Sequence, residues 1–233
     1  MRISGTLQLA SFAAAALLGL AQAETYSVDT AHSDIAFKVR HMGISNVMGK
    51  FEKFGGTFSV DPKNIKATTG NLTIDVNSVY TGNAKRDGHL KSDDFFDAAS
   101  HPTMTFVSKE VKDVNEKDST ATLVGHLTIR GVTKPVSLKI KGGGIMNDGW
   151  GNERAAFTAN GKINRFDYGL KWNKTVEAGG LVVAPEVELN LAFEGVRKLA
   201  TPVGVAATKE AKKAMAGEKP AKPQKTAEAV PAK

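Results

Sequence analysis

There is no cysteine among the 233 residues. Disulfides, thiolate metal ligands and a cysteine nucleophile are excluded together, and so is acylation of a cysteine behind a leader. In an oxidising compartment such a fold must stand on its core alone. Long apolar runs are equally scarce. One runs from Leu9 to Leu20, and no second stretch of comparable apolarity follows. About a dozen residues fall short of the roughly 20 needed to cross a bilayer, so no transmembrane segment is expected. With Arg2 before this run and Ala21-Gln22-Ala23 after it, residues 1–23 have the pattern of a signal peptide cleaved after Ala23. The expected location is the periplasm.

A basic surface is missing as well, despite the formal charge of +7. Residues 198–233 hold eight lysines and three glutamates, and Arg2 belongs to the leader, which leaves residues 24–197 at a net of +1. No nucleic-acid partner is expected from so balanced a domain. After Arg197 the chain turns to Ala, Lys, Pro and Val, with Pro202, Pro220, Pro223 and Pro231 and no aromatic residue. This composition predicts a disordered tail, with at most a marginal helix over 206–216. Its lysines could bring weak contact with anionic envelope surfaces.

What is present is alternation. Ile35, Phe37, Val39 and His41 share one face, against Ala36, Lys38 and Arg40. The period of two returns in Leu72-Ile74-Val76, Leu123-Gly125-Leu127-Ile129 and Val136-Leu138-Ile140. It returns again in Ala155-Phe157-Ala159-Gly161-Ile163 and Val187-Leu189-Leu191-Phe193, with shorter pieces at Phe58–Val60 and Met104–Phe106. The pattern predicts about eight strands, each with one buried face. Turn chemistry is assigned to 61–64, Gly142-Gly143-Gly144 and Asn147-Asp148-Gly149. Without intervening helices the sheet is antiparallel: a sandwich, or a barrel that removes its edges by closing. Residues 80–102 break the alternation and predict short helices capping one end. Ser92 is the expected N-cap, with Asp93 and Asp94 in the first turn. His101-Pro102 returns the chain to extended geometry.

Chemical motifs are sparse. There is no G-x-S-x-G elbow, no H-E-x-x-H and no phosphate-binding glycine loop. The five histidines show no metal-ligand spacing, and His32-Ser33-Asp34 on a strand would point Ser33 away from the other two. No catalytic residue, metal or cofactor is therefore expected. Arg86, Asp87 and His89 form the densest polar group, followed by Asn164-Arg165. Each reads either as a hydrogen-bonded brace or as a polar rim meeting a ligand headgroup. The small residues Ala121, Gly125, Ala155, Ala159 and Gly161 on the inward rows likewise read two ways: as tapering in a filled core, or as space. An eight-stranded barrel stands near the size at which both outcomes occur.

Several separated segments together resemble the YceI-like family. They are Val28-Asp29 with His32-Ser33, Phe37, His41, Gly49 and Phe51; Thr81-Gly82-Asn83, Arg86-Asp87, His89-Leu90, Phe95-Phe96-Asp97, Pro102 and Phe106 with Ser108; residues 125–136 (GHLTIRGVTKPV); and Ile163-Asn164-Arg165 with Gly169. The resemblance implies a lipocalin-like antiparallel barrel over residues 24–197 whose interior holds a long isoprenoid or other lipid chain, quinone-like ligands included. The cavity would then be lined by Phe37, Val39, His41, Phe51, Leu72, Ile74 and Phe106. Leu123, Leu127, Ile129, Phe157, Leu189 and Leu191 complete it, and Arg86, Asp87, His89, Asn164 and Arg165 would form its polar rim. Ala156 departs from the family, which often has glycine there, and the tail lies outside the pattern. A carrier without catalysis is the leading expectation. An enzyme using Arg86, Asp87 and His89 on a lipid-like substrate, or an envelope-associated protein acting through its tail, are the alternatives. A homodimer is left open.

Overall fold

A computed structural model describes residues 23–175 and 180–199. All but the last residue of the expected leader, nearly all of the tail and the expected helix over 206–216 lie outside the described residues. Among the described residues eleven strands form one antiparallel sheet: β1 (Glu24–Val28), β2 (Asp34–His41), β3 (Ser45–Phe51), β4 (Phe54–Val60), β5 (Thr69–Asp75), β6 (Val79–Tyr80), β7 (Thr103–Asn115), β8 (Thr120–Ile129), β9 (Val132–Asn147), β10 (Asn152–Asn164) and β11 (Val183–Lys198). The order is β1-β4-β5-β7-β8-β9-β10-β11, and β1 pairs back onto β11 through Ser27↔Val196 and Val28↔Gly195. Eight strands therefore close a barrel. β2 pairs along the remainder of the same β11 edge and carries β3 and then β6, whose Phe51 and Val79 are buried in the core.

Period-two residues sort as alternation dictates, with Leu123, Leu127, Ile129, Val136, Leu138 and Phe193 buried. One end is stoppered by rings: Tyr26 stacks on Phe58 at 5.4 Å, Phe58 meets Phe157 edge-on at 5.1 Å, and Phe157 lies 5.1 Å from Phe193. The other end is capped by residues 80–102 and 165–175.

Three local expectations are corrected. Gly142-Gly143-Gly144 is not a turn but lies inside β9, where the register with β10 shifts between Ala156 and Phe157. A Cβ on Gly143 would press on Ala156 at 3.2 Å, so these glycines bend a long strand past its neighbour. The capping region holds one α-helix, α1 (Ala84–Lys91), whose N-cap is Asn83. The Asn83 side chain accepts from Arg86 N–H at 3.0 Å, and the chain reaches it through Gly82 at φ +76°. Ser92 instead closes α1 at its C-terminus, its hydroxyl donating to the His89 carbonyl at 2.8 Å. His32 precedes β2 in a bend rather than sitting on a strand, and bonds Asp29, while Ser33 bonds the Glu194 backbone. The three side chains of His32-Ser33-Asp34 form no triad.

Candidate functional site

The barrel encloses a cavity of about 180 Å³ whose surface is almost wholly apolar. Phe37 and Val39 of β2, Phe51 of β3, Leu72 and Ile74 of β5, and Phe106 of β7 line it. So do Leu123, Leu127 and Ile129 of β8, Phe157 of β10, and Leu189 and Leu191 of β11. His41, at the far end of β2, is not on this wall. It pairs with Val183, which does reach the cavity. The wall is uneven. β8 contributes fully buried residues, whereas Phe37, Val39, Val187, Leu189 and Leu191 point inward yet stay half-buried. Inward apolar side chains with unfilled contact surface are what an open interior leaves behind.

The inward glycines explain how large rings and open space coexist. A Cβ on Gly125 would overlap the Phe106 ring, and one on Gly49 would overlap Phe37. Likewise, Gly195 lies under Phe58 and Gly161 under Leu138. At Gly125, Gly49 and Gly195 a ring takes the space a Cβ would need, the arrangement known as aromatic rescue of a strand glycine, and at Gly161 the Leu138 side chain does so. These glycines are thus covered, and their contribution to the cavity is indirect.

Leu90, Phe95, Phe96, Tyr168 and Leu170 of the cap, and Val183 at the start of β11, reached the wall without any signal in the strand pattern. The apolar pair Phe95-Phe96 in a polar stretch was the available hint. Arg130, in the β8–β9 turn, fixes this cap by donating to the Phe95 carbonyl at 3.0 Å.

Of the residues assigned to a polar rim, Arg165 alone lines the cavity. It is 4% exposed and donates to the carbonyls of Ala184, Leu170, Trp172 and Val183 at 2.9, 2.5, 3.0 and 3.0 Å. Among the described residues no carboxylate pairs with it, and burial lowers its pKa from the usual arginine value. Its charge is held by carbonyl dipoles and by the Phe166 ring, 4.6 Å from the guanidinium carbon. Tyr168, also on the wall, has its phenol pushed up to about 12 by burial and by the nearby Asp167 charge, so it stays neutral. Arg86 and Asp87 converge on Thr81 instead. Asp87 accepts from Thr81 N–H at 2.9 Å and its hydroxyl at 2.5 Å, and Arg86 donates to the Thr81 hydroxyl and carbonyl at 2.7 and 2.8 Å. The pair braces α1 against β6. His89 bonds Asp94 at 2.7 Å and meets the rings of Phe95 and Trp172 edge-on. Asn164 caps the 3-10 turn Arg165–Tyr168 by accepting from Phe166 N–H at 3.0 Å.

A second polar cluster was not legible in the sequence, because its members are far apart in the chain. Asp29, His32 and Glu194 bring ligand-type atoms within 4.8 Å of one another. A cation already stands there. Arg154 Nη1 lies 2.9 Å from Asp29 and 2.5 Å from Glu194, and its Nε 3.3 Å from Asp148. The His32 and Arg154 hydrogen bonds bring the Asp29 carboxyl down to about 2. Asp148, held first by Asn152, also falls to about 2. The group is a structural clasp between the β1–β2 linker and strands β10 and β11.

Comparison with known proteins follows the same outline. The sequence profile of the YceI-like domain matches residues 26–195. The chain belongs to the YceI-like family. A UPF0312 protein of Pectobacterium atrosepticum is 43% identical over 195 residues, covering 82% of this chain and 96% of that protein. The solved structure of a Campylobacter jejuni YceI protein is 35% identical, with a TM-score of 0.59 over 73% of this chain and 96% of that one. A polyisoprenoid binding domain from Saccharophagus degradans shares the YceI-like fold at 19% identity and a TM-score of 0.51, covering 75% of this chain and 98% of that domain.

Proposed function

We propose that this YceI-like protein is a periplasmic carrier that holds a long apolar molecule, an isoprenoid, quinone-like compound or related lipid, inside its barrel and performs no chemistry on it. The supporting observation is the apolar cavity, onto which Phe37, Val187, Leu189 and Leu191 face while staying only half-buried. Burial of hydrocarbon contributes about 0.8 kcal/mol per CH₂, so a chain needs few polar contacts to be retained. Selectivity then comes from cross-section and length. A space of about 180 Å³ resembles the ~150 Å³ engineered cavities that accept benzene, so it takes a short apolar segment as it stands. A longer chain requires the half-buried rings of Phe37, Phe106 and Phe157 to turn aside. Export through the leader places such a carrier in water, where a free polyprenyl chain is insoluble. The Saccharophagus domain of the same fold is a polyisoprenoid binding domain, which supports the same ligand class here.

The enzymatic alternative is not favoured by the positions of Arg86, Asp87 and His89, which engage Thr81 and Asp94 rather than the cavity. Protein purified from its native host should release a long apolar molecule on organic extraction, identified by mass spectrometry. Repeated preparations free of any such molecule, together with failure to take up a pyrene-labelled polyprenol, would overturn the carrier function.

A further inference from the structure

The β2–β3 turn is built against its own chemistry. His41, Met42, Gly43 and Ile44 form a two-residue hairpin closed by Ile44 N–H to the His41 carbonyl at 3.2 Å, with φ of +51° at Met42 and +73° at Gly43. Turns with two positive φ values favour Asn-Gly or Asp-Gly, polar residues suited to water. Here a methionine takes the strained left-handed position and is 45% exposed, and the following Ile44 is 80% exposed. Strain and solvent-exposed hydrocarbon coincide at one tip, a combination that gains nothing for the barrel itself.

The tip is one strip of a three-segment lip. Met42 N–H donates to the Val182 carbonyl at 2.9 Å, Val182 N–H donates to the Lys174 carbonyl at 2.9 Å, and Leu181, 41% exposed, bridges to Thr175. Val39 and Val183, immediately behind this lip, line the cavity. Its described residues carry charge of one sign. Among the described residues of 39–46, 171–175 and 180–185 there are the cations Arg40, Lys171 and Lys174 and no carboxylate. Arg40 brackets the turn, its Nε donating to the Gly43 carbonyl at 3.1 Å. Glu177 falls in sequence between these segments and leaves them net positive. On β11, Glu186 and Glu188 are paired with Lys162 and Lys38 at 2.8 and 2.7 Å.

We infer that the lip formed by Met42, Ile44 and Leu181 docks on an anionic lipid surface, inserting its apolar side chains while Arg40, Lys171 and Lys174 meet the headgroups. Apolar side chains carried beside cations are the combination that binds such interfaces. Continuity from the lip to Val39 and Val183 gives an apolar cargo a path from membrane to cavity without crossing water. That last step rests on the carrier function proposed above. The docking itself does not, and is measured without cargo.

Because the chain has no cysteine, single labels can be placed cleanly. Full-length Ile44→Cys, carrying an environment-sensitive NBD group, is mixed with phosphatidylcholine vesicles with and without phosphatidylglycerol. Trp150→Cys, on the β9–β10 turn and also exposed, is the competing position. The expected result is a blue shift and brighter emission at position 44 on the anionic vesicles only, with position 150 unchanged. An unlabelled Met42→Ser/Ile44→Ser variant should bind those vesicles about tenfold more weakly or worse, since both inserting apolar side chains are lost. Its uptake of pyrene-labelled polyprenol from ethanol should be unchanged. Insertion at position 150 instead, equal response to neutral vesicles, or a shift at position 44 that depends on protein concentration without vesicles would each overturn the docking. Loss of polyprenol uptake by the unaltered protein would overturn the carrier function and leave the vesicle result standing.

Discussion

Single residues set the width of the interior, and glycine does so by what it permits next door. Phe106 lies over Gly125 with no room for a methyl group, because an added Cβ would meet both the ring and, at 2.7 Å, the Val107 carbonyl. Backbone cannot retreat there without breaking the β7–β8 register. Gly125→Ala should therefore drive the ring towards the axis, cost about 1–3 kcal/mol in urea unfolding and weaken uptake of pyrene-labelled polyprenol. Gly55, with nothing within 4 Å of an added Cβ, is the control, and Gly55→Ala should change neither measurement. Equal effects at both positions would show that the ring-over-glycine contact does not govern the cavity. Sequence alternation identified Gly125 as inward-facing, but whether it left a void or seated a ring depended on its cross-strand partner, which only the register supplies.

At the scale of elements, eight of the eleven strands were legible, whereas β1, β3, β6 and the joints between strands were not. Period-two patterning placed the inward rows because a buried face leaves that imprint whatever the pairing. It could not say that β2 and β1 share one edge of β11, nor that a glycine run bends β9 rather than ending it, since local sequence is the same for a bulge and a turn. The Asp29–Arg154–Glu194–Asp148 clasp escaped for the same reason, its members being brought together by β10–β11 pairing and the β1–β2 linker. It has a measurable pH signature. Asp29 and Asp148 titrate near 2 in the folded protein, below the ordinary carboxylate value of about 4. Their stabilising contribution is complete above about pH 4 and is lost as pH falls towards 2. Thermal melts should show Tm dropping across that window. Arg154→Met removes part of what holds Asp29 down, the His32 bond being the larger part, so Tm should fall at neutral pH and its acid limb should become shallower. An acid limb as steep as that of the unaltered protein would mean the clasp does not carry the pH dependence.

For the molecule as a whole, the open interior is a stability deficit that needs a reason. Core cavities destabilise by roughly 24 cal/mol per Å³, which for about 180 Å³ amounts to about 4 kcal/mol forgone. The sequence contains ample large side chains to close that space, yet β11 presents Val187, Leu189 and Leu191 half-buried along it. If the cavity exists for a ligand, filling it should trade binding for stability. Leu191→Trp puts a larger apolar group into the cavity from a strand held on both sides, by β10 and β2. The expected outcome is a raised Tm in the ligand-free protein with polyprenol uptake reduced at least about tenfold, the equivalent of 1.4 kcal/mol of binding. A ligand that binds only the folded form also raises Tm by mass action, so the unaltered protein should gain more from added polyprenol than the variant does. A variant that gains stability and binds as before would place the ligand outside the barrel, whereas one that loses stability would show the space was already packed. The opposed movement of the two quantities distinguishes a cavity kept open for a guest from an imperfectly filled core.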